Sequence, residues 1–285
     1  MTTKAGRGGQ LPTGTQTARP EGWSGSRTAA QYDSFAHRFS MYRVTSTDLI
    51  DHLGVGADAK LVDIACGTGV STNIALQRLD QEGIVWAVDA SEPMLSFART
   101  RILDQRVRWR LGRALDLERL TEGHLDNAVC NSAIWQLGEL FKVLAAVRAV
   151  LRRGGQFACN WPQSFIADTP PGGAVRGQGF PLLDVARRHG LVDESGFRPY
   201  TRPTREEITS TIEKAGFEMV EHWWLPQTNS PEATYEWWKV PAFSDWFLGH
   251  VPQEQRLELV DEAWALWNPK CDVTTDWFCI RIKAV

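Results

Sequence analysis

Leu61-Val62-Asp63-Ile64-Ala65-Cys66-Gly67-Thr68-Gly69-Val70-Ser71-Thr72 is an apolar run that carries an acid, turns through Gly-x-Gly and leads into an amphipathic segment. The pattern is that of a buried strand feeding a helix through a tight loop. Glycines in such a loop tolerate φ > 0 and let a ligand approach the backbone without a Cβ in the way. A second apolar run, Ile84–Asp89, ends on an acid twenty residues after Gly69. A carboxylate at that place can accept both hydroxyls of a ribose. The two turns together point to a nucleoside-bearing ligand; the bland alternative is a tight turn and a surface Asp.

The same alternation continues outward. Strands are expected at Lys60–Ala65, Ile84–Asp89, Val107–Leu111, Leu125–Cys130 and Gln156–Trp161, with helices at Val70–Leu79, Glu92–Leu103 and Leu137–Arg153 between them. In the last helix Leu140, Val143, Leu144, Val147 and Leu151 form one stripe, and Gly154-Gly155 ends it. A capping box, Thr204 with Glu207, opens a further helix that closes at Gly216, and Phe217–Leu225 and Asp276–Ile282 supply the last two strands. The fold class is α/β: a doubly wound, mostly parallel, seven-stranded sheet of Rossmann-like type with helical lid insertions.

Residues 1–28 read as a flexible N-terminal tail, and residues 29–56 as cap helices: Ala29–Tyr42, with Tyr32, Phe35, Phe39 and Tyr42 on one face, then Ser46–Leu53 stopped by Gly54. Residues 57–285 form the main domain, interrupted by lids at about 164–203 and 226–275 that sit at the sheet's carboxyl edge.

Composition narrows the function. The 285 residues carry a net charge of −3, which argues against a nucleic-acid binder that works through a broad basic field. No run approaches the roughly 20 apolar residues that cross a bilayer, and the first 18 residues lack the apolar core of a secretory signal. Five scattered cysteines without a C-x-x-C pair fit a reducing cytoplasm and no structural zinc or other metal. Of 13 tryptophans, eight follow residue 220.

A dinucleotide fold would carry a third glycine where Thr72 stands, and Asp63 would repel a pyrophosphate. A carboxylate suits a ligand with an amino-acid ammonium instead. At this point the residues resemble a family, the class I S-adenosylmethionine-dependent methyltransferases of small-molecule, secondary-metabolite type. Asp63-x-x-x-Gly67-x-Gly69 is similar to the family's first motif and Val88-Asp89-Ala90-Ser91-Glu92-Pro93-Met94-Leu95 to its second. Leu125–Ser132 resembles the fourth-strand motif and Val150–Phe157 the turn before the fifth strand.

The resemblance implies S-adenosyl-L-methionine as cofactor. By it, Asp63 and the backbone of Ala65, Cys66, Gly67 and Gly69 line the methionine end, Asp89 holds the ribose, and Ala90 and Met94 flank the adenine. Asn131 lies beside the methionyl part. Gly112-Arg113-Ala114 occupies a loop where the family commonly has an acid that receives the adenine amino group; Arg113 can only donate. The partner implied is a small-molecule acceptor, with no nucleic acid and no membrane; a homo-oligomer is compatible with the sequence, and nothing in it requires one.

Methyl transfer from a sulfonium needs alignment and a dry site, and a base only where the acceptor keeps its proton. His37, in the cap, and His250, in the tryptophan-rich insertion, are the two candidates for that base, and the sequence singles out neither. Tyr32, Trp135, Trp237 and Trp238 are candidates for the acceptor pocket, and an apolar or aromatic acceptor matches such a lid. Two other readings stay open: a fold that binds the same cofactor without methyl transfer, cyclase-like or regulatory, and a nicotinamide-dependent oxidoreductase.

Overall fold

The computed structural model describes residues 22–170, 180–191, 202–248, 251–267 and 271–285. The expected helix Ala29–Tyr42 is two pieces. α1 (Ser26–Arg38) stops where Phe39 turns extended (φ −119°, ψ 152°), and α2 (Met41–Leu53) runs on to Gly54 in the left-handed region (φ 58°). The bend gathers the aromatic face: the Tyr32 and Tyr42 rings lie 5.0 Å apart and those of Phe35 and Phe39 5.2 Å. A straight helix would string these rings along its length.

The alternation that follows is β1 (Lys60–Ile64), α3 (Val70–Leu76), β2 (Ile84–Asp89), α4 (Glu92–Arg101), β3 (Val107–Leu111), α5 (Leu117–Leu120), β4 (Leu125–Cys130), α6 (Leu140–Val150) and β5 (Leu151–Pro162). After it come α7 (Phe180–Arg188), α8 (Arg205–Lys214), β6 (Phe217–Asn229), α9 (Pro231–Trp238), α10 (Pro241–Leu248), α11 (Gln253–Trp267) and β7 (Val273–Ala284). The sheet has seven strands in the order β3-β2-β1-β4-β5-β7-β6. β1 to β5 are parallel, and β7 enters antiparallel between β5 and β6. β1 is central and buried on both faces, so Leu61, Val62 and Ile64 need no polar alternation. β6, at the edge, does alternate.

Helices cover both faces. On one, Ile208 and Ile212 of α8 and Val143, Leu144 and Val147 of α6 pack against Phe157, Trp161 and Phe278. On the other, Leu49, Ile50 and Leu53 of α2 and Ile74 and Ala75 of α3 pack against Leu61 and Val85. Trp223 and Trp224 divide between the faces: Trp223 stacks on His52 of α2 at 3.8 Å, whereas Trp224 meets Phe278 at 5.2 Å. The capping box at α8 is complete, with Glu207 N donating to Thr204 Oγ1 (3.1 Å) and Thr204 N to Glu207 Oε2 (2.8 Å).

α6 is shorter than its stripe suggests, because Leu151 is already paired with Leu125 as a strand residue. Gly154-Gly155 therefore lie inside β5. A Cβ on Gly155 would stand 2.9 Å from Arg152 O and 3.1 Å from the carbonyls of Asp126 and Leu125, so the close approach of β4 and β5 requires glycine there. β6 and β7 extend farther than expected, to Asn229 and from Val273, which shortens the second insertion.

The lid helices have their own small core. Trp238, Leu259, Val260 and Ala263 are buried with Leu182, Val185 and Ala186 of α7. α11 turns Arg256, Leu259, Val260 and Ala263 inward, with Trp264 and Trp267 packed at the margin. Several contacts tie the lid to the N-terminal segment. Trp23 stacks on Trp237 at 6.3 Å, Arg38 pairs with Glu232 at 2.9 Å, and Gly22 N donates to Asp245 Oδ2 at 2.9 Å. Asp245 is itself paired with Arg256. Among the described residues no helix is long and apolar enough to cross a membrane.

Candidate active site

The strand order reverses between β1 and β4, and ligands of open α/β sheets bind in the crevice at such a switch point. Asp63 ends up fully buried beneath it. Its Oδ2 accepts hydrogen bonds from Ser71 Oγ (2.7 Å) and Thr72 Oγ1 (2.6 Å), and its Oδ1 has no partner. Burial outweighs the two hydroxyl bonds and pushes the carboxyl up to about 6.

Above Asp63 the chain curls through three left-handed residues, Ala65 (φ 56°), Gly67 (φ 55°) and Gly69 (φ 92°). The alanine pays a steric cost there, of about 1–3 kcal/mol for a strained residue. Backbone pairing holds the curl: Cys66 N donates to Val88 O at 3.1 Å and Gly69 N to Cys66 O at 2.9 Å. Burial and the carboxylates of Asp89 and Asp63 push the Cys66 thiol up, so it stays protonated.

Asp89, at the end of β2, faces this loop. Its Oδ2 accepts from Gly67 N and its Oδ1 from Ser91 N, both at 2.8 Å. Burial raises its pKa against these backbone bonds. Tyr32 of α1 closes the crevice from above: a Cβ on Gly67 would lie 3.4 Å from Tyr32 Cε1 and 3.7 Å from its hydroxyl. Burial, reinforced by Asp89 and Asp63, pushes the Tyr32 phenol well up, so it remains a hydrogen-bond donor. Burial and the neighbouring Tyr32 do the same to Tyr42. α1 is clamped to α4 by the pairing of buried Asp33 with Arg101.

Beyond Asp89, Ala90 is exposed and Met94 buried. Gly112 N donates to Asp89 O at 2.9 Å, and any Cβ on Gly112 would collide with Leu120. Arg113 is exposed, next to the half-exposed Leu111, and Ala114 is buried. At the opposite end, Asn131 follows β4. Its Nδ2 donates to Ser46 Oγ of α2 at 2.8 Å, and its Oδ1 accepts from Asn160 Nδ2 (2.9 Å) and Ser132 Oγ (3.1 Å). Ser132 is the second non-glycine residue with positive φ (57°), and its N–H donates to Asn160 Oδ1 at 2.7 Å. Sequence reasoning missed Ser46, Ser132 and Asn160, although a buried Asn within the apolar run Phe157–Trp161 was a usable signal.

Aromatic rings continue the crevice past Asn131. Trp135 stacks on Phe165 at 4.9 Å and lies 6.3 Å from Trp277. Trp237 packs on Phe35 (5.4 Å) and Tyr42 (5.7 Å), beside Tyr32. Its neighbour Trp238 turns the other way. It is fully buried in the lid core, stacked on Trp267 at 5.2 Å and edge-on to Trp264, and so leaves no face for an acceptor. His37 sits at the helix surface, its Nδ1 at 2.8 Å from Asp33 O and its side chain 42% exposed. His250 lies outside the described residues. No cluster of metal-binding side chains occurs among the described residues.

Residues 61–155 match the methyltransferase-domain family profile. The chain carries a class I S-adenosylmethionine-dependent methyltransferase domain. This methyltransferase is 25% identical over 216 residues to the ubiquinone/menaquinone biosynthesis C-methyltransferase UbiE of Nitrosospira multiformis, a match that covers 68% of the present chain and 85% of that protein. Among solved structures, the [4+2]-cyclase SpnF superposes with a TM-score of 0.57 at 16% identity, over 91% of this chain and 93% of that one. The geranyl diphosphate C-methyltransferase of Streptomyces coelicolor A3(2), solved with Mg2+, geranyl diphosphate and S-adenosyl-L-homocysteine, superposes with a TM-score of 0.51 at 19% identity, over 87% and 80%. At these identities the structural likeness speaks for the fold alone. The domain match implies S-adenosylmethionine as methyl donor and removes the nicotinamide reading.

The residues of the methyltransferase fit that donor. The partnerless oxygen of Asp63 is an acceptor held beneath a glycine loop, suited to an ammonium, and Asp89 offers a carboxylate where a ribose would lie.

Proposed function

We propose that the methyltransferase transfers the methyl of S-adenosylmethionine to an apolar, aromatic small molecule held against Trp135, Phe165 and Trp277. The stacked pair Trp135–Phe165 supports this most directly, because it extends the crevice with flat apolar faces just past Asn131. Such faces favour offset or edge-on contact with another ring, at about 0.5–1.5 kcal/mol beyond the area buried. The kinship with a quinone-pathway C-methyltransferase agrees with a ring acceptor, and does not narrow it to a secondary metabolite.

The bound donor supplies an electrophilic methyl on a cationic sulfur. The chain's own task is to align and to keep water out. In this reading Asp63 and the Ala65–Gly69 backbone orient the amino-acid end, and Ala90, Met94 and the Gly112–Ala114 turn receive the adenine. Tyr32, Tyr42 and Trp237 cover the junction between the donor crevice and the aromatic wall. Of the two candidate bases, His37 is bonded to its own helix at the surface and is not placed to take a proton; an acceptor that reacts as its ionised oxygen form does not call on it.

The test is transfer of tritium from methyl-labelled S-adenosylmethionine to a panel containing 1-naphthol, 1,4-naphthoquinol and an aliphatic amine. Label in the naphthalene derivatives and not in the amine is the expected result; label only in the amine would reverse the assignment.

A further inference from the structure

Trp277 is 4% exposed, and its indole Nε1 has no hydrogen-bond partner. A buried donor left unpaired costs about 1–3 kcal/mol. Trp223 on the neighbouring strand is paired, its Nε1 donating to Asp48 Oδ2 at 2.8 Å. Two other buried indoles lack partners, but their places differ. Trp86 is mid-strand in β2, registered between Val62 and Arg108, and Trp238 is inside the lid core.

Trp277 stands at the crevice edge. It is registered opposite Pro162, the last residue of β5, and its ring lies 6.3 Å from Trp135. It belongs to the buried cluster on the α2 face, which Trp135 and Trp237 also border. The ring that carries this unpaired N–H thus borders the wall assigned above to the acceptor.

We infer that Trp277 Nε1–H is a specificity-determining donor that binds an oxygen of the acceptor. This rests on the aromatic-acceptor reading and deepens it. An indole only donates, so the ligand has to present an accepting oxygen: a phenol, phenolate or carbonyl on the ring. Donation to an oxygen stabilises its ionised form more than its neutral form. The contact would therefore lower the pKa of a bound phenol, so that it occupies the site as the phenolate with its proton left in bulk water; the oxygen then attacks the methyl carbon as the carbon–sulfur bond breaks and the sulfur keeps the bonding pair, in keeping with a site where His37 points elsewhere.

The experiment uses the full chain saturated with S-adenosylhomocysteine and two probes, 1-naphthol and naphthalene, titrated by calorimetry. The wild type is expected to prefer 1-naphthol by roughly tenfold, the worth of one buried hydrogen bond. Trp277→Phe keeps a ring and should erase the preference, whereas Trp238→Phe should retain it. The absorption of bound naphthol followed against pH should show ionisation at lower pH in the wild type than in Trp277→Phe. Should Trp277→Phe not fold, indole-15N-labelled wild type decides: one indole N–H signal moves downfield with 1-naphthol and stays with naphthalene. A preference that survives in Trp277→Phe, or no such signal change, overturns the inference and leaves the aromatic chamber standing. If neither probe binds, the chamber falls and this inference with it.

Discussion

Asp89 Oδ2 accepts the amide of Gly67 at 2.8 Å, so the acid that ends β2 and the glycine loop after β1 form one hydrogen-bonded unit across the crevice. A ribose that engages Asp89 must share or replace that bond. Asp89→Ala removes both the proposed ribose acceptor and the support of the loop, and S-adenosylhomocysteine binding should weaken by about 10- to 100-fold, as for loss of a charged hydrogen bond. Asp89→Asn can still accept from Gly67 and should lose less. Calorimetry on the two variants checks the order.

Asp63 makes a pH-dependent prediction. Its folded pKa of about 6 lies above the ordinary 3.8, so the folded apo-protein binds a proton more tightly than the unfolded chain. The sign follows from linkage: between about pH 4 and 6 the native state holds more protons, and the contribution of this group to stability falls as pH rises. Asp63→Asn keeps an oxygen for Ser71 and Thr72 and removes the buried charge. Apo-protein carrying it should melt no lower than wild type at pH 7.5, yet bind S-adenosylhomocysteine at least tenfold more weakly. In the wild type that affinity should rise from pH 5 to pH 7 as the carboxylate ionises. Thermal melts and titrations at the two pH values read both effects.

Gly155 has carbonyls of Arg152, Asp126 and Leu125 within 3.1 Å of where a Cβ would sit. Backbone cannot step aside as a side chain does. Gly155→Ala should cost about 1–3 kcal/mol, the range for overpacking, by pushing β5 from β4. A urea midpoint shift, compared with Gly138→Ala, where a Cβ meets nothing within 4 Å but φ is 120°, separates crowding from backbone strain.

Thr204→Ala deletes the Oγ1 that receives Glu207 N, and should cost about 0.5–2 kcal/mol. Thr204→Ser should recover most of it, because the hydroxyl remains; denaturant titration distinguishes them.

The strand ends around the crevice were legible because each combines local signals: β2, β3 and β4 begin and end where their apolar runs do. The placement of Asp63, Gly67 and Asp89 together at one turn was readable for the same reason, as acids and glycines at or beside strand ends. What a single stripe hides is direction. Tyr32, Phe35, Phe39 and Tyr42 step by three and four and fit one helix, while the break at Phe39 is set by packing around the crevice. Trp237 and Trp238 are adjacent on α9, yet one lines the cap and the other the lid core; their order in the chain says nothing of which neighbour each meets. Gly154-Gly155 read as a helix stop because the demand for a close strand approach is long-range. The Asn131–Asn160–Ser46 set joins β4, β5 and α2, three elements distant in sequence, and no local window contains it.

The joining of the N-terminal cap to the tryptophan lid, through Trp23 on Trp237, Arg38 on Glu232 and Gly22 on Asp245, bears on kinetic order. Contacts shared by the two segments couple any opening of one to the other. With the donor held beneath Tyr32 as proposed, it should load first and its spent form should depart last, so initial-rate plots should intersect and the by-product should compete with the donor alone.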